Sequence, residues 1–154
     1  MKKLTIEEKS YIAGFLDGDG SIFAQIVPGI AYKYNFRIRV SIGFYQHKSK
    51  HWFMLKLKKL LKFGVLRIRK DNVSELVITG VGPVEQVLLQ LKDHLILKKK
   101  NVSLVLKIIE KKRKVKSKND FIEVCKLVDQ VSELNYSKNR FITSKVVIQH
   151  LIEY

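Results

Sequence analysis

The residues best suited to chemistry lie in "SYIAGFLDGDGSI", Ser10 to Ile22, where an apolar run ends in Asp17 and Asp19 threaded through Gly14, Gly18 and Gly20. Gly14 and Gly18 are four apart, on one face if the run is helical, and small residues at that spacing let two helix backbones approach closely. A second copy of the same helix is the natural partner. Packed about a two-fold axis, the copies would bring Asp19 from each chain side by side at the helix ends. Adjacent carboxylates repel. A hard divalent cation such as Mg²⁺ relieves that repulsion, because it takes carboxylate, carbonyl and water oxygens. Asp17 points elsewhere on the turn and reads as a structural cap or hydrogen-bond acceptor rather than a ligand. Three further candidates carry less. His47 and His51 have a spacing that could grip zinc on a helix, but no cysteine or glutamate completes the set nearby, so phosphate contact or plain surface is the better reading. Cys125, the only cysteine, stands among apolar helix positions in "FIEVCKLVDQV" and reads as a buried core thiol. Trp52, beside Phe53 and Leu55, reads as packing rather than as a platform for a base.

The elements that must position these residues follow from local signals. Thr5 and Glu8 form a capping-box signature, so a helix is expected from Ile6 to about Gly18, with Gly20 as its stop. Ser21 to Val27 reads as a strand interrupted by Pro28 and Gly29, and Lys33 to Gln46 as a second strand, which together predict a long hairpin. In the second strand Phe36, Ile38, Val40, Ile42 and Phe44 share one face; Asn35, Arg37, Arg39, Ser41 and Gly43 share the other. Lys50 to Phe63 has helical spacing, with Phe53, Leu57, Leu60 and Leu61 in a stripe. "VLRIRK" and "SELVIT" flank Asp71 and Asn72 as a second hairpin in which Leu66 and Ile68 oppose Arg67 and Arg69. Pro83 is expected to begin a helix from Val84 to about Leu95. Further helices are expected over Asn101 to Lys112, Asp120 to Leu134 and Ser144 to Tyr154, the last capped by Thr143. The order predicts an α+β fold in one domain, residues 1–154, built on a four-stranded antiparallel sheet with C-terminal helices.

Charge narrows the partner. Thirty Lys and Arg against 14 Asp and Glu give a formal net charge of +16, enough to steer a polyanion. No apolar stretch approaches the roughly 20 residues of a membrane-spanning helix, so a soluble protein is expected. "MKKLTIEEKS" offers no apolar leader, so no targeting segment is expected. The densest basic run, Lys107 to Lys118, lacks the Trp or Phe face of an interfacial helix, which leaves nucleic acid ahead of a membrane surface. The face of the sheet opposite its helices would carry Lys33, Arg37, Arg39, Arg67 and Arg69. Strands can enter the DNA major groove, where arginine pairs bidentately with guanine and Gln25, Asn35 and Glu75 suit adenine or cytosine edges. The competing reading is that these side chains are the wet side of a half-exposed sheet.

"IAGFLDGDG", Ile12 to Gly20, resembles the LAGLIDADG motif of homing endonucleases, agreeing at Ala13, Gly14, Asp17, Asp19 and Gly20. "DGDGSIFAQIVP", "FYQHKSKHWF", "LKKKNVSLVLKIIE" and "DFIEVCKLVDQVSELN" extend the similarity to the single-motif members over nearly the whole chain. The resemblance implies a homodimeric, Mg²⁺-dependent enzyme that hydrolyses both strands of a long pseudo-palindromic double-stranded DNA target and leaves 3′ overhangs. It implies that Asp19 is catalytic and binds metal, with the Gly18 carbonyl as a further ligand. It places Gln46 as a water-positioning residue and Lys50 and Lys98 near the scissile phosphate. It puts Ile12, Ala13, Gly14, Leu16 and Asp17 in the dimer interface. DNA contacts are implied for Gln25, Val27, Gly29, Tyr32, Lys33, Asn35, Arg37, Arg39, Ser41, Gly43, Arg67, Arg69, Glu75 and Val77, although Val27 and Gly29 stand where polar readers are expected. It also implies an organellar, chloroplast-intron setting. The rival expectations are an intron RNA maturase or a DNA-binding module on the same fold, and a non-specific basic protein whose binding fails at moderate salt.

Overall fold

The computed structural model describes residues 1–153; Tyr154, the expected end of the last helix, lies outside them. The first helix, α1 (Ile6–Asp19), is marked at both ends. Thr5 Oγ1 accepts from Glu8 N at 3.1 Å and Glu8 Oε2 accepts from Thr5 N at 2.8 Å, closing the expected box. Gly20 follows in extended conformation, φ −119°, rather than as a left-handed stop. Glycine is needed there for room: a Cβ would lie 2.6 Å from Leu16 Cδ1 and 2.9 Å from the Gly43 carbonyl oxygen.

The chain continues through β1 (Gly20–Pro28), β2 (Phe36–His47), a 3-10 turn (Lys48–Lys50), α2 (His51–Leu61), β3 (Val65–Ile68) and β4 (Val73–Thr79). Helices α3 (Val81–Leu91), α4 (Lys99–Arg113), α5 (Lys118–Leu134) and α6 (Ser144–Ile152) complete it. The strands form one antiparallel sheet in the order β1-β2-β4-β3, so the architecture is the expected α+β one. Ser41 faces Thr79, Gly43 faces Val77 and Tyr45 faces Glu75 across β2 and β4; Val65 faces Val77 and Arg67 faces Glu75 across β3 and β4.

Two compact units divide the chain, and β1 and β2 pass from one into the other. The first, residues 1–22 and 41–99, closes over Ile12, Leu16, Ile42, Phe44, Met54, Leu61, Leu76 and Leu88, all nearly inaccessible to solvent. Phe15 stacks on Phe44 at 5.7 Å between centroids and meets Phe53 edge-on at 5.3 Å, which fixes α1 within that unit. The second, residues 23–40 and 100–154, closes over Ile38, Val40, Val105, Ile108, Val124 and Val128. Cys125 is buried there, and burial pushes its thiol up to about 12.

Several expected boundaries shift for local reasons. β2 begins at Phe36, not Lys33, because Asn35 has φ 61° and closes a turn in which Gly29 N donates to Asn35 O at 2.9 Å. In α2, Met54 is buried with Leu57 and Leu61, whereas Phe53 and Leu60 are only half-buried. α3 starts at Val81, so Pro83 is its third residue, and it ends at Leu91 rather than Leu95. Thr143 makes no side-chain cap; the carboxylate of Asp129 accepts from Ser144 N instead, at 3.2 Å. On β3, Ile68 is exposed rather than turned into the core.

Candidate active site and nucleic-acid face

The helix that ends at Asp19 hands its last carboxylate to solvent. Asp19 is exposed, and Gln46, near the end of β2, donates from Nε2 to Asp19 Oδ2 at 3.4 Å. Gln46 is itself oriented, since its Oε1 accepts from His47 N at 3.1 Å. Asp17, two residues back, turns the other way. Its carboxylate accepts from the backbone N–H groups of Ile96, Leu97 and Lys98 at 2.7, 3.1 and 3.1 Å, tying the connector that precedes α4 to the end of α1. Lys98 returns the contact: Nζ donates to the Asp17 carbonyl oxygen at 2.7 Å. The C-terminal carbonyls of a helix lack partners and carry partial negative charge, so an ammonium is favoured there. α1 has no basic residue in its own last turn, and Lys98 supplies that cation from elsewhere in the unit. Lys50 is exposed at the junction of the 3-10 turn and α2.

The two faces of α1 differ sharply. Ile12, Ala13 and Leu16, expected in an interface between chains, are 2%, 0% and 0% exposed within this chain and belong to its own core. That assignment is corrected, because packing inside the first unit already consumes these side chains. Gly14 and Gly18 are exposed, and a Cβ built on either would meet no atom within 4 Å. Nothing in the chain itself accounts for glycine at those two positions.

The sheet residues fall into two groups. In the first unit Arg67 Nε donates to Glu75 Oε1 at 2.8 Å, Arg69 Nη1 to Glu75 Oε2 at 3.3 Å and Arg69 Nη2 to Asp71 Oδ2 at 2.7 Å. Glu75 is buried beneath the two guanidiniums. Val77 is half-buried. Ser41 and Gly43, expected to touch DNA, are covered: Ser41 Oγ and Thr79 Oγ1 share a hydrogen bond at 3.1 Å, and Gly43 lies under the Tyr45 ring. In the second unit the cations have uncharged partners. Arg39 places Nε and Nη2 on Gln25 Oε1 at 3.0 and 2.7 Å, and Arg37 lies 5.3 Å from the Tyr32 ring centroid. Val27 is half-buried on β1, and Gly29 and Lys33 belong to the hairpin tip. Asn35 is turned from the strand face by its positive φ, and its Nδ2 lies 2.9 Å from His150 Nε2. Lys112 Nζ donates to the Ile38 carbonyl at 2.8 Å; burial, with Arg37 nearby, holds its ammonium below the usual lysine range.

Zinc is not favoured at the histidines. His47 Nδ1 accepts from Ser49 N at 3.1 Å and caps the 3-10 turn, while His51 Nδ1 pairs with Ser74 Oγ at 2.8 Å. Among the described residues no group of three or more His, Cys, Asp or Glu is placed to hold a metal, and no helix is long and apolar enough to cross a membrane.

The model of the LAGLIDADG endonuclease family matches residues 12–107, well over half of the chain. The chain belongs to the LAGLIDADG endonuclease family. It is 42% identical over 138 residues to the DNA endonuclease I-CreI of Chlamydomonas reinhardtii, covering 89% of this chain and 84% of that protein. It is 35% identical over 138 residues to the DNA endonuclease I-CvuI of Chlorella vulgaris, covering 90% and 86%. A crystal structure of the homing endonuclease I-CvuI in complex with its target and calcium superposes with a TM-score of 0.90 at 33% identity, over 96% of this chain and 94% of that one.

In this LAGLIDADG chain the motif residues separate by role. Asp19 and Gln46 come together, as do Asp17 and Lys98. Tyr45, Ser21, Asp71 and Lys112 hold positions on the sheet or beside it that sequence reasoning passed over. The signal for Tyr45 was present: it stands two residues after Gly43 and therefore on the same strand face.

Proposed function

We propose that this chain is a site-specific, divalent-metal-dependent DNA endonuclease that acts as a homodimer on a long, nearly palindromic target, residues 1–154 forming one endonuclease domain. The observation that carries the proposal is Asp19: an exposed carboxylate at the tip of α1, with Gln46 held against it, beside the helix face on which Gly14 and Gly18 are exposed. The relatives support it, since I-CreI and I-CvuI are DNA endonucleases and I-CvuI is seen with its own target in calcium and with the I-CreI target, uncleaved, in magnesium.

The donor set fits a hard cation. One chain supplies a carboxylate, Asp19, and a backbone carbonyl, Gly18. Mg²⁺ is commonly held by one or two carboxylates with waters and substrate phosphates, so an exposed, incomplete set is the expected form. Bound there, the ion supplies an activated water and neutralises charge on the departing 3′ oxygen. The remaining work belongs to the chain. Gln46 has a second N–H on Nε2 and can orient a water or a phosphate oxygen beside Asp19. Lys98 spends one of its three N–H groups on Asp17 and keeps two for phosphate. Lys50, exposed and unburdened by packing, is placed to meet a phosphate. Gly14 and Gly18 leave space for a second α1, which would bring a second Asp19 to the same region.

Binding rests on the strand cations. Each unit contributes strand residues whose alternate positions carry arginine, Arg37 and Arg39 in one and Arg67 and Arg69 in the other, on a chain of net charge +16. An organellar setting is proposed on the family resemblance, and the algal sources of the two relatives support it.

The test is incubation of purified chain with a randomised DNA library and Mg²⁺, read by sequencing. Double-strand breaks at one long, pseudo-palindromic site, abolished by EDTA, are expected. A chain that binds a specific duplex and never cuts it would contradict the proposal and favour a binding module.

A further inference from the structure

Within the first unit the sheet carries a row unlike its neighbours. Gly43, Val77 and Val65 stand opposite one another across β2, β4 and β3. On one side of this row the Ser41 and Thr79 hydroxyls bond to each other; on the other, Glu75 faces Tyr45 and Arg67 and holds both Arg67 and Arg69. The middle row has no polar side chain. Val65 is 70% exposed, an unusual place for valine on a polar face.

The end of the row at Gly43 is roofed. A Cβ on Gly43 would fall 2.1 Å from the Tyr45 hydroxyl oxygen and 2.6 Å from Tyr45 Cζ. The ring therefore lies where a longer side chain at position 43 would otherwise stand. Its hydroxyl is 3.2 Å from Ser21 Oγ, so the polar tip is already engaged and the ring presents carbon. Gly43 is the floor for Tyr45, not a reader in its own right.

Resting on the endonuclease reading above, we propose that Val77 and Val65, with the Tyr45 ring that covers Gly43 at the end of their row, read the C5 methyl of thymine in the major groove, with Tyr45 and Val77 as specificity-determining residues. A polar row would pair with base donors and acceptors; this one offers none. The thymine methyl is the one apolar group the major-groove edges present. Charge points to the same occupant, since the chain carries a formal net charge of +16.

The experiment scans the target recovered from the library. Each thymine is replaced singly by deoxyuridine, which removes the methyl and nothing else, and binding is measured for the full chain and for Val77→Ser and Tyr45→Ala. One thymine in each half-site should lose about fourfold in affinity as uracil, the worth of one buried methyl. That loss should vanish in Val77→Ser, which removes both methyl groups that would meet the thymine methyl, and shrink in Tyr45→Ala. A target in which no thymine shows the loss, or in which both variants retain it, overturns the thymine reading while leaving the nuclease intact. If the library is never cut, the endonuclease reading fails; sites enriched by binding alone then receive the same scan, and a loss there upholds the thymine reading. Enrichment of no site by cutting or binding overturns both.

Discussion

The two faces of α1 come from the same 14 residues and answer to different constraints. One face, Ile12, Ala13 and Leu16, is consumed by the chain's own core. The other, Gly14 and Gly18, touches nothing in the chain and is poor helix material, since glycine costs about 1 kcal/mol against alanine in a helix interior. A sequence that tolerates that cost twice on one face is specifying an approach from outside. In the proposed homodimer the helix would serve folding with one side and assembly with the other, and the carboxylate at its tip would belong to the assembled site.

The comparison predicts opposite signs for substitutions only two residues apart. Leu16→Ala should remove about 2–5 kcal/mol from unfolding stability, measured by denaturant titration, because a fully buried side chain leaves a cavity. Gly14→Ala should raise the intrinsic stability of the single chain by about 0.5–1 kcal/mol, yet weaken self-association by about 1–3 kcal/mol as the new methyl overpacks the twin helix. Sedimentation at several concentrations separates these two effects. A Gly14→Ala chain that associates as tightly as the parent would break the distinction between the faces. Asp17→Asn tests the end of the helix and should cost about 1–2 kcal/mol in stability, because a carboxamide has one acceptor oxygen for three N–H donors. Cleavage should fall with it, since the Lys98 backbone N–H is held by the same carboxylate.

Much of this arrangement is legible in the sequence. The Thr5 and Glu8 box and the Asp71–Asn72 turn each have a short-range physical cause, and the structure contains both; the alternation from Phe36 holds in burial only as far as Val40, beyond which Ser41 and Gly43 are covered as well. Asp19 stands out for a similar reason: a carboxylate at the end of an apolar helix has no packing role. What is not legible is what lies over a residue. Period-two alternation puts Gly43 on the open face but does not reveal that the Tyr45 ring covers it. Apolar residues on more than one side of α1 likewise hide which side turns inward, so no local pattern checks the interface role that the resemblance implies for Ile12, Ala13 and Leu16. Equal-looking arginines conceal a further difference. Arg67 and Arg69 are neutralised by Glu75 and Asp71, whereas Arg37 and Arg39 meet Tyr32 and Gln25, and only side-chain geometry distinguishes the pairs.

Asp19→Asn tests the central claim most directly, because it removes one charge without changing shape. Binding and cleavage of the same duplex should be measured on one preparation in Mg²⁺. Affinity should be kept while cleavage falls by about 10³-fold, the scale of losing a group that acts on charge developing in the transition state. Cleavage at the parent rate with equal affinity would contradict it, and the catalytic carboxylate would have to be sought elsewhere in the chain.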